Sequence, residues 1–276
     1  MHEFVSFNYI PVKTHDAVVS ATSAAALHGR GIFTTISICN GEPFLWDKHW
    51  RRLESSAVKL DIDLSQFSEY ETKQALYEIA KKNGVSNGRA RVTIFDESAS
   101  KLWSGEPRPE VRVLVITGDS RPVTDYFHLT VSPHSINSLS PLTGVKSCNY
   151  LEKLMGFDEA KSRGFDEAVQ INERGEVASA VMANVFWLKK EELFTPSLKT
   201  GCLPGTTREF VLENLECLEV EAKLDEVRWA DSIFLTSAGL GVTRVADFGS
   251  RKLEKINHPI LRLLPCINTA GMHEVG

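Results

Sequence analysis

The sequence predicts an α+β fold in two domains, on three observations. β-rich runs such as GIFTTISICN and VRVLVIT alternate with amphipathic helical stretches. Strands outnumber the βαβ units that a doubly wound parallel sheet would need, and no GxGxxG follows any of them. A turn-rich segment, TGDSRPVTD, interrupts the pattern near the middle. These place a smaller N-terminal α+β domain at residues 1–118, a linker at 119–126 and a larger C-terminal domain at 127–276.

The elements follow in order. GIFTTISICN reads as a strand, and NGEPF after it supplies the Asn-Gly pair favoured in two-residue hairpin turns. DKHWRRLESSAVKLDI puts Trp50, Leu53, Ala57 and Leu60 on one helical face, with Asp47 placed to cap it. KQALYEIAKKNG is a second helix whose lysines and glycine suit a C-terminus. RARVTIF alternates with period two, whereas VRVLVIT is a continuous apolar run of the kind buried on both faces. Beyond the linker, FHLTVSP is a strand and NYLEKLMGFDEAKSRG a helix. DEAVQINERGEVASAVMANVFWL reads as a hairpin turning at Glu173-Arg174-Gly175. TTREFVLENL is a helix, SIFLTSA a strand, and a last helix is expected at HPILRLL.

Bulk properties exclude several classes. A chain of 276 residues with 42% hydrophobic and 24% charged residues can bury a sizeable core. A formal charge of −5 gives no electrostatic case for nucleic acid or an anionic membrane, and no apolar run approaches the roughly 20 residues of a transmembrane helix. The start, MHEFVSFNYIPVKTHD, lacks the pattern of a secretion signal. Five scattered cysteines without a CxxC pair, and eight histidines without an HExxH, point to a reducing cytoplasmic setting and no metal centre.

Three segments carry candidate chemistry. In LPGTTREFVLENL, Pro204-Gly205 makes a turn, Thr206 and Glu209 have capping-box spacing, and the helix start is a ready anion site. LTSAGLG follows a strand and offers a second amide nest. TGVKSCNY holds Lys146 between a turn and a helix, either a solvated lysine or an amine kept in place for chemistry.

HWRRL, the lysine followed by SCNYL, GFDEAV, GEVASAVMANVFW, LFTP and LPGTTR occur here in one order. That ordered set resembles the class IV aminotransferases, pyridoxal-phosphate enzymes of fold type IV that include branched-chain and D-amino-acid aminotransferases and 4-amino-4-deoxychorismate lyase. The resemblance runs from about Gly29 to Val245.

The resemblance implies roles for particular residues. Lys146 would form the internal aldimine with pyridoxal 5'-phosphate and afterwards move a proton, which needs an amine deprotonated near neutral pH. Arg52 would grip the cofactor phosphate. Thr206 and Thr207 match the phosphate-binding helix start, and Ser237 with Ala238 the second phosphate loop. Phe33, in GRGIFTT, matches an aromatic near the substrate pocket, and His28 falls where several members have tyrosine. A homodimer acting on a small-molecule substrate, an amino acid or an aminodeoxychorismate-like compound, is implied as well.

One position departs from the pattern. The family places glutamate two residues beyond Val177, where its carboxylate pairs with the pyridine nitrogen; here that residue is Ser179. Glu176 lies three residues earlier, so on an extended strand it points to the opposite face. A serine hydroxyl leaves the ring nitrogen neutral and the cofactor a weaker electron sink. The leading expectation is an aminotransferase passing an amino group from an amino acid to a 2-oxo acid. GIFTT and the Lys-x-x-Asn spacing of Lys146 and Asn149 look more like the lyase, which releases pyruvate and 4-aminobenzoate. A non-catalytic member with an altered site is the third reading, kept open by Ser179 alone.

Overall fold

A computed structural model describes residues 1–105, 109–120 and 127–264. The chain gathers into two compact units, Met1–Arg121 with Val145–Asn149, and Pro122–Gly144 with Tyr150–Gly276. Most of the expected linker, from 121 to 126, lies outside the described residues.

The first unit is a six-stranded antiparallel sheet with helices. Its strands are β1 (Phe4–Phe7), β2 (Ile10–Lys13), β3 (Gly31–Cys39), β4 (Glu42–Pro43), β5 (Gly88–Asp96) and β6 (Val111–Asp119), in the order β2-β1-β6-β5-β3-β4. The helices are α1 (Ala24–His28), α2 (Trp46–Leu60), α3 (Glu69–Lys82) and the short α4 (Lys101–Ser104). Asn40 and Gly41 both have positive φ, the mirror-image turn that joins β3 to β4 as the Asn-Gly pair predicts. Trp50, Leu53 and Ala57 of α2 pack with Leu76 and Ala80 of α3 against Ile36, Val92, Val113 and Val115 of the sheet. Burying side chains of this size contributes about 1.5–3 kcal/mol each.

Two expectations fail in this unit. VRVLVIT is not sealed on both faces: Val113, Val115 and Thr117 are buried, while Arg112, Leu114 and Ile116 are half-buried. The sheet is antiparallel and α2 and α3 join the core through one face of it, so an apolar run need not be enclosed. Asp47 does not cap α2 either. Leu45, at φ 55°, holds the N-cap position without a side-chain bond, and Asp47 sits in the first turn, where its charge complements the helix dipole.

The second unit is built on a nine-stranded sheet. Its strands are β7 (Phe127–Val131), β8 (Glu167–Ile171), β9 (Val177–Ala180), β10 (Asn184–Lys189), β11 (Glu192–Pro196), β12 (Leu218–Val220), β13 (Ser232–Ser237), β14 (Gly241–Phe248) and β15 (Arg251–Lys252). They run in the order β12-β11-β10-β13-β14-β7-β8-β9, with β15 on β14. Helix α5 (Leu151–Ser162) crosses between the parallel strands β7 and β8, and α6 (Thr206–Asn214) between the parallel β11 and β12; α7 (Leu224–Arg228) follows. Strands β8 and β9 form the expected hairpin around Gly175, whose φ of 74° needs a glycine-tolerant turn. The helix expected at HPILRLL is only a 3-10 turn, Pro259–Arg262.

The segment 145–149, expected in the C-terminal domain, groups with the first unit. The reason is backbone pairing. β4 covers only the end of β3, and the open edge at Gly31–Phe33 takes this segment instead. Phe33 N donates to Lys146 O at 2.9 Å, Cys148 N donates to Gly31 O at 2.8 Å, and Ser147 bridges Ile32.

Candidate functional site

The candidate residues fall into two groups, one in each unit. In the first unit, the paired edge of β3 fixes the backbone of Lys146, and its Nζ stands 4.7 Å from the centre of the Phe33 ring. The guanidinium of Arg91 lies 3.6 Å from the same ring. Arg91 is opposite Thr35 and Phe33 opposite Thr93, so all four share one sheet face. Gly31 leaves room for this arrangement: a Cβ there would come within 2.8 Å of Phe95 Cβ and 3.0 Å of Cys148 Sγ.

Thr34, the next residue on β3, points to the other face. Its hydroxyl oxygen accepts from Arg52 Nη2 at 2.7 Å and lies 2.6 Å from His49 Nδ1. His49 and Arg52 are three apart on α2, hence neighbours on one helical face. His49 is buried; desolvation, and after it the charges of Arg52 and Lys146, push its pKa well below 6.5, so the ring is neutral. Residue types alone did not single out His49, Thr34 or Arg91; the HxxR spacing within HWRRL is the signal that points to the first. His28 stands apart, at the end of α1, with Nε2 2.7 Å from Ser100 Oγ. Both line a small cavity of about 270 Å³ with Arg30 and Asp96.

In the second unit, α6 starts at Thr206, with Gly205 as N-cap and no side-chain cap. The capping box of Thr206 and Glu209 is therefore absent: Thr206 is already the first helical residue, one place too late to cap. Asn184 Oδ1 occupies the place where a Cβ on residue 205 would go, and Asn184 Nδ2 donates to Leu203 O at 2.9 Å. Thr206 and Thr207 are both buried. Helix α6 packs against β13, which ends at Ser237. There Leu240 N donates to Ser237 O, closing the turn that holds Ala238. Next to Ser237, the buried Thr236 Oγ1 has no hydrogen-bond partner among the described residues. An uncapped helix start beside a partnerless hydroxyl suits a bound anion. Arg208, on the first turn of α6, is not part of that cradle; it is buried and donates to Pro196 O at 2.8 Å and to Glu219.

Ser179 lies on β9, buried, directly opposite Gln170 on β8. Glu176 is no substitute for a carboxylate there. It precedes β9, and Asn172 Nδ2 and Arg174 Nε each donate to its Oε2 at 2.9 Å.

Residues 31–248 match the family model described as Amino-transferase class IV. The chain belongs to the class IV aminotransferases. It is 30% identical over 264 residues to the aminodeoxychorismate lyase of Bacillus subtilis, covering 92% of this chain and 87% of that protein. It is 27% identical over 254 residues to a putative branched-chain-amino-acid aminotransferase of Methanocaldococcus jannaschii, covering 87% and 86%. Its fold is similar to the branched-chain aminotransferase of Thermoproteus uzoniensis solved with norvaline, with a TM-score of 0.88 at 22% identity over 99% of this chain and 97% of that one. As a class IV aminotransferase, the chain is an enzyme that uses pyridoxal phosphate. Among the described residues no cluster of His, Cys, Asp and Glu could hold a metal ion, and no helix is long and apolar enough to cross a membrane.

Proposed function

We propose that this class IV enzyme is an aminodeoxychorismate lyase, with Lys146 as the amine that binds the cofactor and then carries the proton. The observation that carries this reading is Ser179 in a buried strand position, with no carboxylate in its place. Pyridoxal phosphate, when bound, supplies an aldehyde for covalent attachment of the substrate amine and a ring that accepts electron density. A site without a carboxylate at the ring nitrogen suits a reaction whose driving force lies elsewhere. Conversion of aminodeoxychorismate to 4-aminobenzoate and pyruvate needs no oxidant or second substrate, and its aromatic product provides that force. The 30% identity to a protein named as the lyase supports the same choice.

The residues divide the work as follows. In the first unit Arg52, held by Thr34, would suit the cofactor phosphate; in the second, the uncapped start of α6 at Thr206 and Thr207 would suit it too, with Ser237 and Ala238 as the second loop. Lys146 would take the proton from the amine-bearing carbon of the substrate as the enolpyruvyl C–O bond breaks, and a proton given to the departing enolpyruvate carbon would complete pyruvate; the neutral His49 does not add a third positive charge beside Arg52 and Lys146. Phe33 and Arg91 present an aromatic face backed by a guanidinium beside that amine. Arg91 is suited to a carboxylate of the substrate.

A second reading, aminotransfer between an amino acid and a 2-oxo acid, is favoured by the similarity to a protein named as a branched-chain aminotransferase. One product assay separates them. Given aminodeoxychorismate, the purified enzyme should release 4-aminobenzoate and pyruvate without any 2-oxo acid added. Exchange of amino groups between branched-chain substrates, with no 4-aminobenzoate formed, would establish the second reading instead.

A further inference from the structure

The face of the second unit that carries Ser179 is covered by α5. Gln170 stands opposite Ser179 in the β8–β9 ladder, so both side chains project from that face. Val181 N donates to Ala168 O at 2.9 Å, continuing the same alternation. Helix α5 packs on it through Gly156, where a Cβ would meet Val181 Cγ2 at 3.4 Å. One turn earlier on the same face of α5 is Lys153, and its Nζ donates to Gln170 Oε1 at 2.5 Å. The Gln170 amide in turn donates to His134 O at 3.5 Å.

The groups facing Lys153 are Gln170 and Glu167 of β8, Glu152 on its own helix, and Cys202. Among the described residues none of the carboxylates forms an ion pair with it. Glu167 is occupied elsewhere: its carboxylate accepts from the backbone N–H of Ala168, Val181 and Met182 at 3.0–3.1 Å. Ser179 Oγ makes no hydrogen bond among the described residues. The buried surroundings of Ser179 thus contain the Lys153 ammonium, the Gln170 amide and the serine hydroxyl, with the Glu167 carboxylate near Lys153 but engaged by backbone donors.

We infer that Lys153, relayed through Gln170, makes the Ser179 end of the cofactor site cationic and so holds the ring nitrogen of pyridoxal phosphate unprotonated. This rests on the reading that Ser179 faces that nitrogen. The physical reason is Coulombic: a positive charge in a poorly hydrated site disfavours a second one on the pyridine ring, and neither the serine hydroxyl nor the Gln170 amide stabilises a pyridinium as a carboxylate would. Burial lowers the pKa of Lys153 to about 8, so the amine is still mostly protonated at neutral pH.

The test is the 15N chemical shift of ring-labelled pyridoxal phosphate bound to the holoenzyme, followed against pH. The native enzyme should show the unprotonated position at neutral pH. Ser179→Glu should raise the apparent pKa of the ring nitrogen, and adding Lys153→Met to it should raise that pKa further, because Lys153 no longer competes for the new carboxylate. Thermal melts of each variant check folding, and Lys153→Gln replaces Lys153→Met if the latter unfolds. An upfield, pyridinium shift in the native enzyme overturns the inference. So does an identical pKa in Ser179→Glu and Ser179→Glu/Lys153→Met. Failure of the underlying reading looks different, since the label would then not be bound covalently through Lys146, or its shift would not respond to Ser179→Glu at all.

Discussion

Asn184 Oδ1 fills the space that a Cβ on Gly205 would need. The side chain cannot simply swing away, because its Nδ2 is bonded to Leu203 O. Gly205→Ala should therefore displace the start of α6, lowering stability by about 1–3 kcal/mol, as other overpacked sites do. It should also weaken cofactor binding, since the first turn carries Thr206 and Thr207. A melting curve and a cofactor titration measure both, and pairing the change with Asn184→Ala should recover part of the stability.

Thr34 is the shared partner of Arg52 and His49. Thr34→Val keeps the shape but removes the oxygen, leaving a guanidinium N–H and an imidazole nitrogen buried without it. A cost of about 1–3 kcal/mol in stability is expected for unsatisfied groups of this kind. Cofactor affinity should fall about tenfold, the equivalent of ~1.4 kcal/mol, and equilibrium dialysis against pyridoxal phosphate reads it.

His49 gives the first unit an acid limit. Its folded pKa is depressed below 6.5 by burial and by Arg52 and Lys146. The unfolded chain then binds a proton that the native state refuses, so the stability is intact above about pH 6.5 and is lost as pH falls toward the folded value. His49→Gln should flatten that part of a denaturant-unfolding pH profile, and an unchanged slope would remove His49 as its source.

Glu167 acts in the opposite direction. Burial, opposed by its backbone donors and Lys153, raises its pKa from 4.5 to about 7. The native state holds a proton that the unfolded chain has lost, so this contribution is complete below about 4.5 and declines as pH rises to about 7. Glu167→Gln should remove the decline, as a stability profile over that range would show.

Much of this was legible in the sequence because it depends on local chemistry. Asn40-Gly41 sets its turn by backbone freedom, Trp50, Leu53 and Ala57 declare their helical face by spacing, and the helix start at α6 follows from Pro204-Gly205 before a helical run. Exact caps were not legible. Gly205, not Thr206, occupies the N-cap because Asn184, distant in sequence, excludes a side chain there. The burial of VRVLVIT could not be read from its apolar run, since that depends on which sheet face the helices cover. The pairing of Lys146 was not legible for a similar reason: its backbone partner is the edge of β3, more than a hundred residues earlier. Nothing in the sequence marks Lys153; the packing of α5 on β8 and β9 places it against Gln170.

The proposed chemistry turns on Lys146 as the cofactor-binding amine. The most direct measurement is borohydride reduction of the holoenzyme followed by peptide mass spectrometry. The reduced phosphopyridoxyl group is expected on the peptide containing Lys146, with loss of both the label and the visible absorption band in Lys146→Ala. Label found on Lys153 or another lysine, with Lys146 unmodified, would contradict it.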